Sequence, residues 1–392
     1  MSQTIYFDNA ATTQLDRQVL EAMLPYLTDN YGNPSSQYSL GRITRIAIES
    51  ARKKVAKLLN VKPNTIYFTS GGSESNNTAI LAAIRDLGCT HIITSPIEHH
   101  AVLHAVESVS GERKIGLSYV TLDEYGEVDY SSLEALLQSN SGTGYRCFVS
   151  LMHANNETGV LLDINRVGQL CKKYNAIFHS DCVQTVGHFP LDLLESQVHF
   201  ISGAAHKFHG PKGTGILYVR EDIRIKPLIH GGAQERNLRA GTENVAGIVG
   251  FAKALEMAMQ GFEKERAHIE ELRNYMKQQL MAYIPGVRFL TPETSLYTVL
   301  SVCFPRSDKS QSLILELDMA GICVSGGSAC SSGDESGSHV VRALGKNNTC
   351  TTIRFSFCKY NTRQEVDAVM DAIQSILALN PGIASINGKA WD

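Results

Sequence analysis

Ser202-Gly203-Ala204-Ala205-His206-Lys207-Phe208-His209-Gly210-Pro211-Lys212-Gly213 sets a lysine among small residues directly after an apolar run at 198–202. An amine at the end of a buried strand, with no solvated neighbours, is desolvated, which lowers its pKa and makes it nucleophilic. Working outward, six more short apolar runs, at 65–69, 91–95, 117–122, 147–152, 176–179 and 215–219, read as strands. Amphipathic or loop segments separate them, the pattern of a largely parallel sheet covered by helices. Only about a dozen residues without a helical pattern join 198–202 to 215–219, too few for an ordinary crossover, so that pair is expected to be antiparallel. A helix is expected at 41–59, with Ile43, Ile46, Ala47, Ala51, Val55 and Leu58 on its inner face. Another carries Phe262, Ile269, Leu272, Met276, Leu280 and Tyr283 until Pro285-Gly286 stops it, and a last one covers 363–379.

Two further motifs lie where an α/β sheet binds ligands. Phe68-Thr69-Ser70-Gly71-Gly72-Ser73-Glu74 follows a strand and opens a helix, whose first N–H groups and positive dipole end suit a phosphate. By itself this loop equally fits an ordinary capped turn, and no Gly-Lys-Ser/Thr completes a nucleotide loop. Asp181, in His179-Ser180-Asp181-Cys182-Val183-Gln184, closes the 176–179 run, as a helix cap or as a carboxylate at a strand's carboxyl end. Anion cradle, strand-end carboxylate and strand-end lysine together make the parts of a pyridoxal phosphate site. His99-His100 and His179-x-Asp181 match no zinc spacing.

The 392 residues, 43% hydrophobic and 19% charged with a net charge of −3, describe a globular chain of two or more domains with no pull toward nucleic acid. No run reaches the roughly 20 apolar residues of a membrane span, and Met1 to Asp8 lacks the pattern of an export signal, so the cytoplasm is the expected compartment. The nine cysteines include no Cys-x-x-Cys and are expected to be free thiols. One of them, Cys330, lies in the Gly/Ser-rich stretch 326–337.

Taken in order, these motifs resemble the cysteine desulfurases of the class-V aminotransferase group, in the branch linked to nitrogenase and iron–sulfur cluster assembly. The likeness runs through Tyr6-Phe7-Asp8-Asn9-Ala10-Ala11-Thr12-Thr13, Gly32-Asn33-Pro34, Glu98-His99, Asn155-Asn156-Glu157-Thr158-Gly159 and His206-Lys207. It continues through Gly231-Gly232, Arg239-Ala240-Gly241-Thr242 and Ser328-Ala329-Cys330-Ser331-Ser332 to Ile353-Arg354-Phe355-Ser356. The resemblance implies an α/β, fold-type I pyridoxal-phosphate transferase. Its large domain (15–258) would hold a seven-stranded, mostly parallel sheet. A smaller α/β domain (1–14 with 259–392) would carry the cysteine loop.

It further implies that Lys207 binds the cofactor covalently and moves the α-proton, that Asp181 pairs with the ring nitrogen, and that His99 stacks on the ring and serves in acid–base steps. Gln184 and Asn156 would reach the cofactor's phenolic oxygen. Gly72, Ser73 and His206 would hold phosphate, joined by Thr242 from the second subunit of a homodimer. Arg354 and Asn33 would receive the substrate, L-cysteine, and Cys330 would take its sulfur for an acceptor protein of iron–sulfur assembly or thiolation. No resident metal is implied, with Cys330 at most a transient iron–sulfur ligand. A selenocysteine lyase-like activity, a class-V aminotransferase and a non-catalytic sulfur scaffold are the alternatives. Against the usual family pattern, Ala204 replaces a phosphate-binding serine, Gly72-Ser73 replaces Ala-Thr, and Cys182 replaces an alanine.

Overall fold

The computed structural model describes residues 4–142, 144–326, 338–346 and 350–378. Cys330 and the stretch around it lie outside the described residues. In chain order the strands are β1 (Ile5–Tyr6), β2 (Ile66–Thr69), β3 (His91–Thr94), β4 (Gly116–Tyr119), β5 (Cys147–Ser150), β6 (Ile177–Asp181), β7 (Phe200–Ala204), β8 (Gly215–Val219), β9 (Arg288–Phe289), β10 (Val299–Pro305), β11 (Ile322–Cys323) and β12 (Cys350–Ser356). The helices are α1 (Arg17–Leu27), α2 (Ser39–Leu58), α3 (Gly72–Arg85), α4 (His100–Arg113), α5 (Tyr130–Ser139), α6 (Ile164–Lys173), α7 (Val245–Tyr283), α8 (Asp308–Met319), α9 (His339–Ala343) and α10 (Arg363–Ile376).

All seven expected strands form one sheet in the order β2-β8-β7-β6-β5-β3-β4. Only β8 runs against its neighbours, pairing antiparallel with both β7 and β2, as the short β7–β8 connection requires. The carboxyl ends of β2, β5, β6 and β7 therefore meet at one edge, where sheets of this kind bind ligands. A second sheet, β12-β10-β9, is antiparallel, and β1 pairs in parallel with β11.

Helix α7 joins the two cores. Phe251 and Leu255 pack with Val19, Met23 and Val55 beneath the large sheet, while Phe262, Leu272, Met276 and Leu280 pack with Phe7, Phe304, Phe355 and Val366. The helix runs 39 residues and begins well before the Phe262 periodicity, because Ala246, Gly247, Gly250 and Ala254 bury a surface with few large side chains to mark it.

Two expectations need correcting. On α2, Ile43 and Ile46 are 42% and 65% exposed. Ala47, Ala51 and Val55 are buried as expected, but beside them the inner face carries Thr44, Ile48 and Arg52, which turns inward to a charged partner. Its guanidinium makes two 2.8 Å bonds to Glu235, whose Oε2 also accepts from the Phe68 N–H at 2.8 Å. Removing one member of so buried a pair strands the other, a loss of about 3–5 kcal/mol. The pair holds Glu235, Arg236 and Asn237, three consecutive residues with φ of 42°, 56° and 67°, against the strand that leads to α3.

The second correction concerns the thiols. Cys303 and Cys350 form a disulfide across β10 and β12, with Cα atoms 5.5 Å apart. They are 47 residues apart in sequence and lie diagonally across the strand pair, with Cys303 opposite Thr352 and Cys350 opposite Pro305. Cys89, Cys147, Cys171, Cys182 and Cys358 are buried free thiols. Among the described residues, no helix is long and apolar enough to cross a membrane.

Candidate active site

A cavity of about 260 Å³ opens at the carboxyl edge of the large sheet, lined by Gly72, Ser73, His99, Asn156, Asp181, Gln184, His206, Lys207 and Arg354 among others. Nine of the residues singled out in the sequence thus meet in one place. Thr242 and Asn33 do not line it: both are exposed, and Asn33 spends its Oδ1 on the Ser35 N–H at 2.9 Å. Arg239, three residues before Thr242, bonds Glu74 in the first turn of α3 at 3.1 Å, fastening that loop beside the cavity.

Lys207 follows β7 in a short turn, and its Nζ donates to the carbonyls of Ala10 at 2.6 Å and Ala11 at 2.8 Å. Asp181 is the last residue of β6. Its Oδ1 accepts from the Val183 N–H at 2.9 Å and its Oδ2 from Asn76 Nδ2 at 2.7 Å. Asn76 was not legible as a site residue. Its one signal is its place one turn into α3, on the same face as Gly72. Gln184 Nε2 donates to the Ala10 carbonyl at 3.0 Å, so the segment before α1 braces both Lys207 and Gln184.

His99 caps α4, its Nδ1 accepting from the Ala101 N–H at 3.1 Å. That bond leaves the ring proton on Nε2. Burial pushes the ring's pKa down, Asp181 opposes this and Lys207 adds to it, so a neutral imidazole faces the cavity. Burial, aided by Lys207, likewise pushes His206 down to about 4. Behind the site, His179 on β6 bridges Ser150 of β5 at 2.9 Å and Ser202 of β7 at 3.1 Å.

Burial holds His153, His179 and His188 down to about 4 as well. An unfolded chain protonates these rings near their ordinary value of about 6.5, before the folded chain does. Their contribution to stability is therefore complete above about pH 6.5 and is lost as pH falls toward 4, each ring adding at most about 1.4 kcal/mol per pH unit. Urea unfolding followed from pH 7.5 to 4.5 is expected to show the decline beginning near pH 6.5. A flat profile down to pH 5 would contradict the burial of these rings.

Pyridoxal phosphate fits this chemistry. No side chain caps the N-terminus of α3 at Gly71, so the first-turn N–H groups remain to meet an anion beside Ser73 and His206. At the other end lie the Asp181 carboxylate and the buried Oδ1 of Asn76, which has no partner among the described residues. A Cβ on residue 72 would come within 2.5 Å of Val183 Cγ2, so glycine at 72 goes with valine at 183. Ala204 lines the cavity without a hydroxyl, and Ser73 and His206 line it with polar side chains.

The family model of the class-V aminotransferases matches residues 5–369. The chain is 42% identical to the cysteine desulfurase IscS of Dictyoglomus turgidum over 385 residues, 96% of this chain and 95% of that one. The chain belongs to the cysteine desulfurases of the class-V aminotransferase family. The solved structure of a NifS-like protein superposes on this class-V fold with a TM-score of 0.87, at 40% identity, covering 96% of this chain and all of the other. A second, SspA in complex with cysteine, gives a TM-score of 0.79 at 31% identity, covering 92% of this chain and all of that one. The large sheet with its single reversed strand β8 is thus the fold-type I architecture that the sequence motifs implied.

Proposed function

We propose that this chain is a cytoplasmic, homodimeric enzyme that converts L-cysteine to L-alanine and leaves the sulfur as a persulfide on Cys330, for delivery to an acceptor of iron–sulfur assembly or thiolation. The observation that carries the reading is the convergence of Lys207, Asp181, His99 and Arg354 on one cavity beside the open N-terminus of α3. In this reading residues 15–258 form the large cofactor-binding domain, and 1–14 with 259–392 form the small domain that carries the cysteine loop. Thr242 serves the site of the partner subunit, and Asn33 lies at the substrate's entry.

Ser73, His206 and the first turn of α3 would hold the cofactor's phosphate, Asp181 its ring nitrogen, His99 its ring face, Gln184 and Asn156 its phenolic oxygen, and Lys207 its carbonyl carbon. When bound, pyridoxal phosphate supplies a carbonyl that condenses with amines and a ring that draws electrons from the substrate's Cα. Arg354 receives the α-carboxylate, for which a guanidinium fork is suited. With substrate bound, Lys207 Nζ would act as a free amine and remove the α-proton. The neutral His99, with its proton on Nε2, acts as an acid–base partner across the cavity. The Cys330 thiolate attacks the substrate's Sγ. An S–S bond forms, the Cβ–Sγ bond breaks, and the electron pair left on the three-carbon fragment takes up a proton before alanine departs.

Purified protein loaded with pyridoxal phosphate and given L-cysteine is expected to release alanine and sulfane sulfur in equal amounts. A protein that carries the cofactor's visible absorption yet makes no alanine from cysteine would sink the reading.

A further inference from the structure

Arg354 is 1% exposed, and its guanidinium is already partly engaged. Nη1 donates to the Asn156 carbonyl at 2.8 Å, and Nη2 donates to Asp8 Oδ1 at 2.6 Å. Nε is buried and has no partner among the described residues. A buried donor left unpaired is costly, and a guanidinium offers five N–H groups in a fixed plane. Fixing both terminal nitrogens fixes that plane, and it leaves the side edge, Nε–H with the neighbouring N–H, as the fork for a ligand carboxylate. Arg354 lines the same cavity as Lys207.

Asp8 is itself held in place. Its carbonyl accepts from Tyr6 Oη at 3.1 Å and from the Ala11 N–H at 3.0 Å, and it bridges to Ser356, the last residue of β12. Two residues on, the Ala10 and Ala11 carbonyls take Lys207 Nζ. One short segment therefore touches both Arg354 and Lys207, the groups assigned above to the substrate's α-carboxylate and its α-proton.

Resting on the reading above, we propose that Asp8 is the positioning residue of the carboxylate receptor. It turns Arg354 so that the Nε edge faces the substrate, and its charge offsets the guanidinium so that alanine, the product, is not held too tightly. Two variants separate these parts. Asp8→Ala removes the acceptor, whereas Asp8→Asn keeps an acceptor oxygen at that position and removes only the charge.

The test uses the cofactor-loaded protein, with KM for L-cysteine from alanine release and Kd for L-alanine from titration calorimetry. Asp8→Ala is expected to raise both constants about tenfold, the loss of a charge-assisted bond, with a smaller change in kcat. Asp8→Asn is expected to return both to the wild-type values or below. The inference is overturned if Asp8→Ala leaves KM and Kd within about twofold, or if Asp8→Asn is no better than Asp8→Ala. Arg354→Lys provides the separate arm, because lysine cannot present a planar fork. If Arg354→Lys leaves Kd for L-alanine unchanged, the assignment of Arg354 as carboxylate receptor fails. If it weakens Kd while the Asp8 variants do nothing, only the role of Asp8 fails.

Discussion

Lys207→Ala is expected to abolish alanine formation from L-cysteine, by at least about a thousandfold, and to remove the visible absorption of lysine-bound pyridoxal phosphate. The size of the effect follows from two losses at once. The variant lacks the amine that binds the cofactor covalently, and it lacks the base that takes the α-proton, a role alone worth about 10²–10⁴ in rate. The fold is expected to survive, because Lys207 lines the cavity, where its Nζ bonds the Ala10 and Ala11 carbonyls. Absorption spectra and alanine release measured side by side decide it. A variant that keeps more than a few per cent of the alanine rate would remove Lys207 from the chemistry.

Cys330→Ser separates sulfur removal from substrate binding. Arg354, Lys207 and His99 are untouched, so L-cysteine is expected to bind and change the spectrum of the cofactor. Cleavage of the C–S bond by attack on sulfur needs a thiolate, and a serine hydroxyl has far too high a pKa to replace it. The variant is expected to form no alanine and no protein persulfide. The described free thiols offer no substitute. Burial pushes Cys89 and Cys182 up to about 12, Cys358 up to about 11, and Cys147, Cys171 and Cys323 upward as well. Cys303 and Cys350 are bonded to each other. Mass spectrometry after brief exposure to cysteine is the deciding measurement, and added sulfur on another cysteine in the Cys330→Ser variant would overturn the mechanism.

Most of the large sheet was legible, because β-branched and aromatic runs bounded by glycine and polar residues mark strands locally. The reversed direction of β8 was legible too, from the short connection alone. Lys207, Asp181 and Gly72 could be found because each sits at the end of an element that its own neighbours define. What escaped was set by partners far away in sequence. The inner face of α2 includes Arg52, which meets Glu235 183 residues on, so a count of apolar positions finds Ala47, Ala51 and Val55 but wrongly adds Ile43 and Ile46. Asp8 stood in a quoted motif but had no visible role until Arg354 was placed beside it, and the Cys303–Cys350 bond depends on strand register. Asn76 looked like one more polar residue of a helix until β6 put Asp181 against it.

The bracing of Lys207, Gln184 and Arg354 by the segment from Asp8 to Ala11 also sets an order of assembly in time. Asp8 and Arg354 are 346 residues apart. On the ribosome, at about 5–20 residues per second, roughly 20–70 s pass between the making of one and the making of the other. The seven strands of the large sheet are all synthesised within that interval, while β1 still lacks its partner β11 and Asp8 its guanidinium. The strands of the large sheet can therefore pair while the amino-terminal brace is still unplaced. During synthesis, competence to hold an amino acid by its carboxylate must trail formation of the sheet, a delay that refolding of the finished chain does not impose.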